Sequence, residues 1–225
     1  MPTVLISGGT GGLGGAVTRT LLDADWHAVV PYRGANGAEG VEPHPELELV
    51  EADLFDPASA RRVIDCAGPQ LTAVVNLVGG FAAGGRVHET AIEDFERQFT
   101  LNLRPAYLLC NAALPVMLAA GQGSIVCVSA RAALRAFAGA AGYITSKAAV
   151  LAFVDALAAE YTADGIRANA ILPSVIDTPA NRESQPDADY SRWVKPEEIA
   201  RVIRFLCSDD AAPTSGAHIP VYGRA

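Results

Sequence analysis

The 225-residue sequence predicts an α/β fold: one doubly wound domain, with a central parallel sheet of about seven strands and helices on both faces. Three observations predict it. Short, almost continuously apolar runs alternate along the chain with longer segments of helical period. A glycine-rich turn joins the first such run to the first helical segment. The length suits one core, since single cores extend to roughly 250 residues before chains divide.

The first strand is Thr3–Ser7, followed by a helix in which Leu13 to Leu22 places apolar residues at helical spacing. Further strands are expected at His27–Tyr32, Leu47–Glu51, Ala73–Leu77, Ser124–Ser129, Arg167–Leu172 and His218–Val221. Helical segments lie near 57–66, 91–119, 142–163 and 196–207. Pro105 and Pro115 fall inside 91–119, where a missing backbone donor predicts a break or kink. Segments 34–46 and 179–195 are rich in Pro, Gly, Asn, Asp and Glu, show no period and read as loops. The second exceeds an ordinary connector and is expected to act as a substrate-binding loop or lid.

Half the residues are apolar, and 17 basic residues against 25 acidic give a net charge of −8 without a clustered Lys/Arg face. That balance argues against nucleic acid and anionic membranes as partners. The N-terminus has no basic n-region, and no uninterrupted apolar run approaches the roughly 18 residues that span a bilayer. A cytoplasmic protein acting on a small molecule is the expectation. Cys66, Cys110, Cys127 and Cys207 form no CxxC pair and read as small buried apolar residues. His27, His44, His88 and His218 are scattered without ligand spacing, so no metal is expected; His88, after the Gly80–Gly85 loop, could reach a substrate.

The turn Ser7-Gly-Gly-Thr-Gly-Gly-Leu-Gly14 lies where a Rossmann fingerprint belongs, between first strand and first helix. Glycine there lets the backbone approach a pyrophosphate, and the helix start offers unpaired N–H groups. After the second strand, no acid stands at the tip of Val29-Val30-Pro31-Tyr32-Arg33 to bind a ribose; Arg33 is placed to meet a 2′-phosphate. NADP(H) is therefore favoured, with NAD(H) open because Glu39 or Glu42 could supply the acid.

Tyr143 and Lys147 stand four residues apart, so on a helix they share a face. A nearby cation favours tyrosinate, which is expected to bring the phenol down from about 10 towards the range useful for acid–base work. Asn102, expected in mid-helix, carries a propensity penalty that points to a buried or functional hydrogen-bonding role.

These segments, in this order, resemble the short-chain dehydrogenase/reductase superfamily over essentially the whole chain. Gly8, Gly12 and Gly14, with Thr10 and Leu13 between them, are similar to its TGxxxGxG signature, Ser7 replacing the leading threonine. Asn76-Leu-Val-Gly79 resembles NNAG, Asp53-Leu54 the adenine contact, Tyr143-xxx-Lys147 the catalytic pair and Thr214–Gly223 the final strand. The resemblance implies one Rossmann-like nicotinamide-binding domain over 1–225 and a homo-tetramer or homo-dimer. It implies hydride transfer in which Tyr143 exchanges the proton, Lys147 holds ribose and Asn102 supports a relay. Pro173, Ile176 and Thr178 would line the nicotinamide; Asn181, Arg182, Tyr190 and Trp193 would face substrate, although Trp193 could equally anchor the loop.

The family's serine lies 13 residues before the tyrosine, a position held here by Ala130, with Ser129 one residue earlier. Either Ser129 substitutes, as in an ordinary ketoreductase, or the site works without the hydroxyl on an already electrophilic substrate. The second reading is favoured and, with Ala130–Leu134, Leu172–Arg182 and Pro186–Trp193, resembles the dihydropteridine reductase-like branch. A nucleotide-sensing protein without turnover is the alternative from another class; Tyr143, Lys147 and Asn102 together count against it.

Overall fold

A computed structural model describes residues 1–224. All seven strands are parallel, in the order β3-β2-β1-β4-β5-β6-β7. They are β1 Thr3–Ser7, β2 His27–Tyr32, β3 Leu47–Glu51, β4 Leu71–Asn76, β5 Gly123–Val128, β6 Ile166–Pro173 and β7 His218–Val221. The helices are α1 Gly12–Leu22, α2 Pro57–Ala67, α3 Ile92–Asn102, α4 Arg104–Ala120, α5 Ala141–Tyr161, α6 Pro179–Ser184 and α7 Pro196–Cys207.

Each sheet face carries its own core. Leu5, Val29, Val74, Ile125 and Leu172 point towards α2, α4 and α5, where Leu109, Met117, Val150 and Val154 are fully or almost fully buried. The alternate residues Val4, Ile6, Val30, Val75, Val126 and Ile171 pack against α1 and α7 through Val17, Leu21, Ile199 and Ile203. Period-two alternation therefore serves two apolar layers instead of one, which is why the strands read as unbroken apolar runs. The order reverses between β1 and β4, a switch point that leaves a crevice at the carboxyl ends of the strands.

One local expectation is met, the break at Pro105, and three are corrected. The 91–119 segment is two helices parted at Leu103, because Pro105 lacks the N–H that would bond to the Leu101 carbonyl. Pro115, in contrast, leaves α4 unbroken; it and Asn111, whose carbonyl it frees, are both exposed, so water can replace the bond. The 179–195 segment is not all loop: Thr178 caps α6 by accepting from the Asn181 N–H, with Pro179 at its first turn, and Tyr190–Arg192 forms a 3₁₀ turn. Cys66 is exposed on the outer side of α2, because that helix buries the stripe Ala60, Val63, Ile64 and Ala67.

Two stretches, Ile92–Ala120 and Ala141–Asp164, are apolar enough on average to meet the composition of a membrane span, at a mean hydropathy of 1.3. The first is divided at Leu103, and both place their buried residues at helical spacing against the sheet.

Candidate active site

The crevice is floored by the strand ends. Ser7 and Asn76 are paired neighbours, as are Asn76 and Cys127 one strand further along. The Ser7 hydroxyl donates to the Val75 carbonyl at 3.4 Å and accepts from the Leu77 N–H at 3.2 Å, tying the glycine turn to the loop after β4. Asn76, 4 % exposed, donates its amide to the sulfurs of Cys110 and Cys127 at 3.6 and 3.5 Å. These contacts join β4 to α4 and β5 beneath the site.

At the start of α1 the chain turns so tightly that a Cβ on Gly14 would collide with the Gly8 carbonyl, and Gly8 itself has φ +72°. Only glycine suits both positions. No side chain caps α1 and no acid stands in its first turn, so its leading N–H groups and their partial positive charge face the crevice. Thr178 closes the turn from above: a Cβ on Gly12 would lie 3.1 Å from its methyl group. This cradle fits a pyrophosphate, which requires close backbone approach and inward-facing N–H groups.

Arg33, exposed at the tip of β2, lies 6.0 Å from the centre of the Phe55 ring. Phe55 belongs to the turn after β3, in which Asp53 is exposed, accepts from the Phe55 N–H at 3.0 Å, and Leu54 is buried. Glu42 pairs with Arg19 at 3.0 Å, and Glu39 shares with both a cleft along α1.

Around Gly79 the site tightens. A Cβ on that residue would lie 2.7 Å from Asn102 Oδ1 and 2.9 Å from Lys147 Nζ, so glycine allows the amide and the amine to converge. Asn102, 2 % exposed, accepts from the Gly80 N–H at 2.9 Å and donates to Ser146 Oγ at 3.0 Å. It is the last residue of α3, not a mid-helix residue, and the Pro105 break sets it there.

Lys147 is 6 % exposed and donates to the Val128 carbonyl at 3.1 Å. Burial pulls its pKa down to about 8, against a smaller opposing effect of Cys127. Tyr143, half-buried at the start of α5, is pushed up to about 12 by burial alone. The expected lowering of the phenol by the lysine does not appear: burial, which disfavours tyrosinate, is what moves its pKa.

The enzyme family that these features resemble is also the one the chain matches. A family model described as enoyl-(acyl carrier protein) reductase matches residues 8–223. The chain is 32 % identical to 2-(R)-hydroxypropyl-CoM dehydrogenase of Xanthobacter autotrophicus, over 97 % of this chain and 96 % of that one. The chain belongs to the short-chain dehydrogenase/reductase superfamily. A solved short-chain dehydrogenase/reductase family protein superposes with a TM-score of 0.89 at 31 % identity, covering 99 % of this chain and 96 % of that one. The 3-ketoacyl-(acyl-carrier-protein) reductase from Brucella melitensis, complexed with NADH, gives 0.88 at 26 % identity, covering 99 % and 98 %.

In this short-chain dehydrogenase/reductase Ser129 is 3 % exposed, and its hydroxyl donates to the Lys147 backbone carbonyl at 2.7 Å. It ties β5 to α5. Ala130 follows in extended backbone and is buried, offering a methyl group only.

The lid residues are brought together chiefly with one another. Arg182 forms a bidentate pair with Asp177 at 2.6 and 2.9 Å and lies 4.8 Å over the Tyr190 ring. The Tyr190 hydroxyl donates to a cluster of carbonyls, nearest Pro186 at 2.9 Å, and its ring packs on Trp193 at 4.8 Å. The Asn181 amide donates to the Ile176 carbonyl at 2.8 Å. Ile176 bridges to Val194, and Pro173 ends β6, which leads into the Val175–Thr178 strip beside the glycine turn.

Sequence reasoning missed three participants. Ser146 orients Asn102, Gly80 binds it, and Phe81 packs edge-on against Tyr143 at 4.9 Å. An aromatic residue set in the glycine-rich Gly79–Gly85 stretch was the available signal for the last of these.

Proposed function

We propose that this oxidoreductase reduces, or in reverse forms, a small carbonyl or conjugated imine, with Tyr143 as the proton donor. The observation that carries the reading is the convergence of Asn102 Oδ1 and Lys147 Nζ on Gly79, one turn of α5 from Tyr143 and beside the glycine turn. When bound, the nicotinamide exchanges the hydride, which is the difficult part of the chemistry. Gly8, Thr10, Gly12, Leu13 and Gly14 hold its pyrophosphate end, and Pro173, Ile176 and Thr178 hold its reactive end. Tyr143 gives its hydroxyl proton to the substrate heteroatom. Lys147 supplies the cation that favours the resulting tyrosinate, and Asn102 holds the loop against which the lysine is packed.

Arg33 at the β2 tip, with Glu42 drawn away by Arg19, supports NADP(H) as the preferred cofactor. Ala130 in the serine's place and the engaged Ser129 hydroxyl support a substrate that needs little carbonyl polarisation, such as a quinonoid or imine acceptor. A homo-oligomer acting on a soluble metabolite in the cytoplasm completes the reading.

The test is consumption of NADPH or NADH by purified protein with ketones, quinones and quinonoid dihydropterin. Turnover of at least one class is expected, and Tyr143→Phe should reduce it by roughly 10²- to 10⁴-fold with nucleotide binding retained. Nucleotide binding without turnover across the panel would mark a sensor, and undiminished turnover by the variant would refute the role of Tyr143.

A further inference from the structure

The mouth of the site carries an apolar feature that hydride transfer does not require. Phe81 is 63 % exposed, Phe137 49 % and Leu134 59 %. Single exposed apolar residues are ordinary, but these rings are not scattered. Phe81 comes from the loop after β4 and Phe137 from the loop after β5, and their centroids lie 6.4 Å apart. Phe81 also meets Tyr143 edge-to-face, 4.9 Å between centroids at 85°.

Backbone geometry holds the two loops together. The Gly84 N–H donates to the Gly139 carbonyl at 2.8 Å, and Gly139, at φ +81°, takes a conformation that a side chain would strain. A Cβ there would also lie 2.8 Å from the Gly84 carbonyl oxygen. The rings are flanked by Ala82, Ala83, Ala136 and Ala138, all exposed and too small to cover them. The pair is therefore presented on a clasped frame, with open space around it.

Any group that accepts a proton from Tyr143 must bring its heteroatom within roughly 2.7 Å of the hydroxyl. The substituents on the reacting carbon then come within van der Waals reach of the ring packed on that tyrosine. We propose that Phe81, backed by Phe137, is the specificity wall of this site, and that the substrate carries its reacting carbon directly on a flat aromatic or conjugated ring. Aromatic groups prefer offset or edge-on contact with such a wall, and burying one face of a ring there removes apolar surface from water on both partners. The inference rests on Tyr143 as proton donor, and it adds the class of group on which the carbonyl is borne.

The experiment compares wild type with Phe81→Ala, using Phe205→Ala, an exposed aromatic on α7, as the control. Calorimetric titration of the nucleotide-loaded protein uses benzamide and isobutyramide, an aromatic and an aliphatic carbonyl that are both poor hydride acceptors. Benzamide should bind wild type at least tenfold more tightly, with the preference falling below threefold in Phe81→Ala and unchanged in Phe205→Ala. In parallel, the ratio of kcat/KM for aryl aldehydes and ketones over aliphatic ones should fall by tenfold or more in Phe81→Ala. Equal binding of the two amides, or a preference that survives Phe81→Ala, would overturn the proposal while leaving the oxidoreductase reading intact. Failure of every carbonyl to consume reduced nicotinamide, with the Phe81-dependent amide preference present, would instead remove the catalytic reading and keep the aromatic site.

Discussion

Replacing the buried lysine should stabilise the fold while destroying the activity. Lys147 is 6 % exposed, and burial lowers its pKa from an ordinary 10.5 to about 8. Each unit is about 1.4 kcal/mol, so at neutral pH, where folded and unfolded lysines are both protonated, the native state is penalised by about 3 kcal/mol. A folded pKa below the unfolded one means that the unfolded chain binds the extra proton between pH 8 and 10.5. Stability from this group is therefore complete above 10.5 and is lost as the pH falls through 8. Lys147→Met removes the ionisation but leaves the Val128 carbonyl without its 3.1 Å partner, which offsets the gain by about 1–3 kcal/mol. The pH dependence is free of that offset, because the orphaned carbonyl does not titrate. Denaturant unfolding of both proteins should show the variant's advantage shrinking by about 2–3 kcal/mol between pH 7 and pH 10. A stability difference that stays constant over that interval would refute the argument that Lys147 is held charged against its burial.

Three other substitutions separate structure from chemistry. Ser129→Ala should lower stability by about 1–3 kcal/mol, through loss of the bond to the Lys147 carbonyl, and leave turnover of the folded enzyme within a few-fold. A hundredfold loss of kcat in a fully folded variant would return the hydroxyl to the carbonyl grip. Gly14→Ala forces the turn apart at the Gly8 carbonyl, so nucleotide affinity should drop on the order of 100-fold; calorimetry showing wild-type affinity would argue against the cradle. Arg33→Ala should weaken NADPH by roughly tenfold or more, the worth of a charge-assisted hydrogen bond, and change NADH little; equal effects on both would deny contact with a 2′-phosphate.

Strands and helices were legible because each face of the sheet imposes its own apolar demand, and the alternating segments show both. His27–Tyr32 and Leu47–Glu51 could be delimited because loops rich in Gly, Pro and Asp border them. What local sequence could not distinguish was a tolerated proline from a breaking one: Pro115 lies on the wet side of α4 and Pro105 on the packed side, a difference only tertiary burial creates. The candidate site was legible where chemistry demands a fixed spacing, as at Tyr143 and Lys147. It was illegible where partners come from separate loops, since nothing near Gly139 announces that its carbonyl will hold Gly84 and set Phe137 beside Phe81. Thr178 and Pro179 did carry a helix-start signal within the lid, outweighed there by the polar composition around it.

The tyrosine–lysine pair shows why spacing alone misjudges a proton site. Four residues of helix place both groups on one face, and in water the cation would favour tyrosinate. In the fold the same burial acts on both groups with opposite sign, raising Tyr143 to about 12 and lowering Lys147 to about 8. Both charged forms are disfavoured, so the phenol keeps its proton throughout the neutral range. That state is the one a reduction needs at its outset and the one an oxidation must first undo. In the proposed reaction Lys147, which keeps its cation up to about pH 8, is the positive charge one turn of α5 from the developing tyrosinate. The Gly79 gap matters for this reason: with no side chain there, Asn102 Oδ1 and Lys147 Nζ both reach the same space, and a methyl group would collide with both.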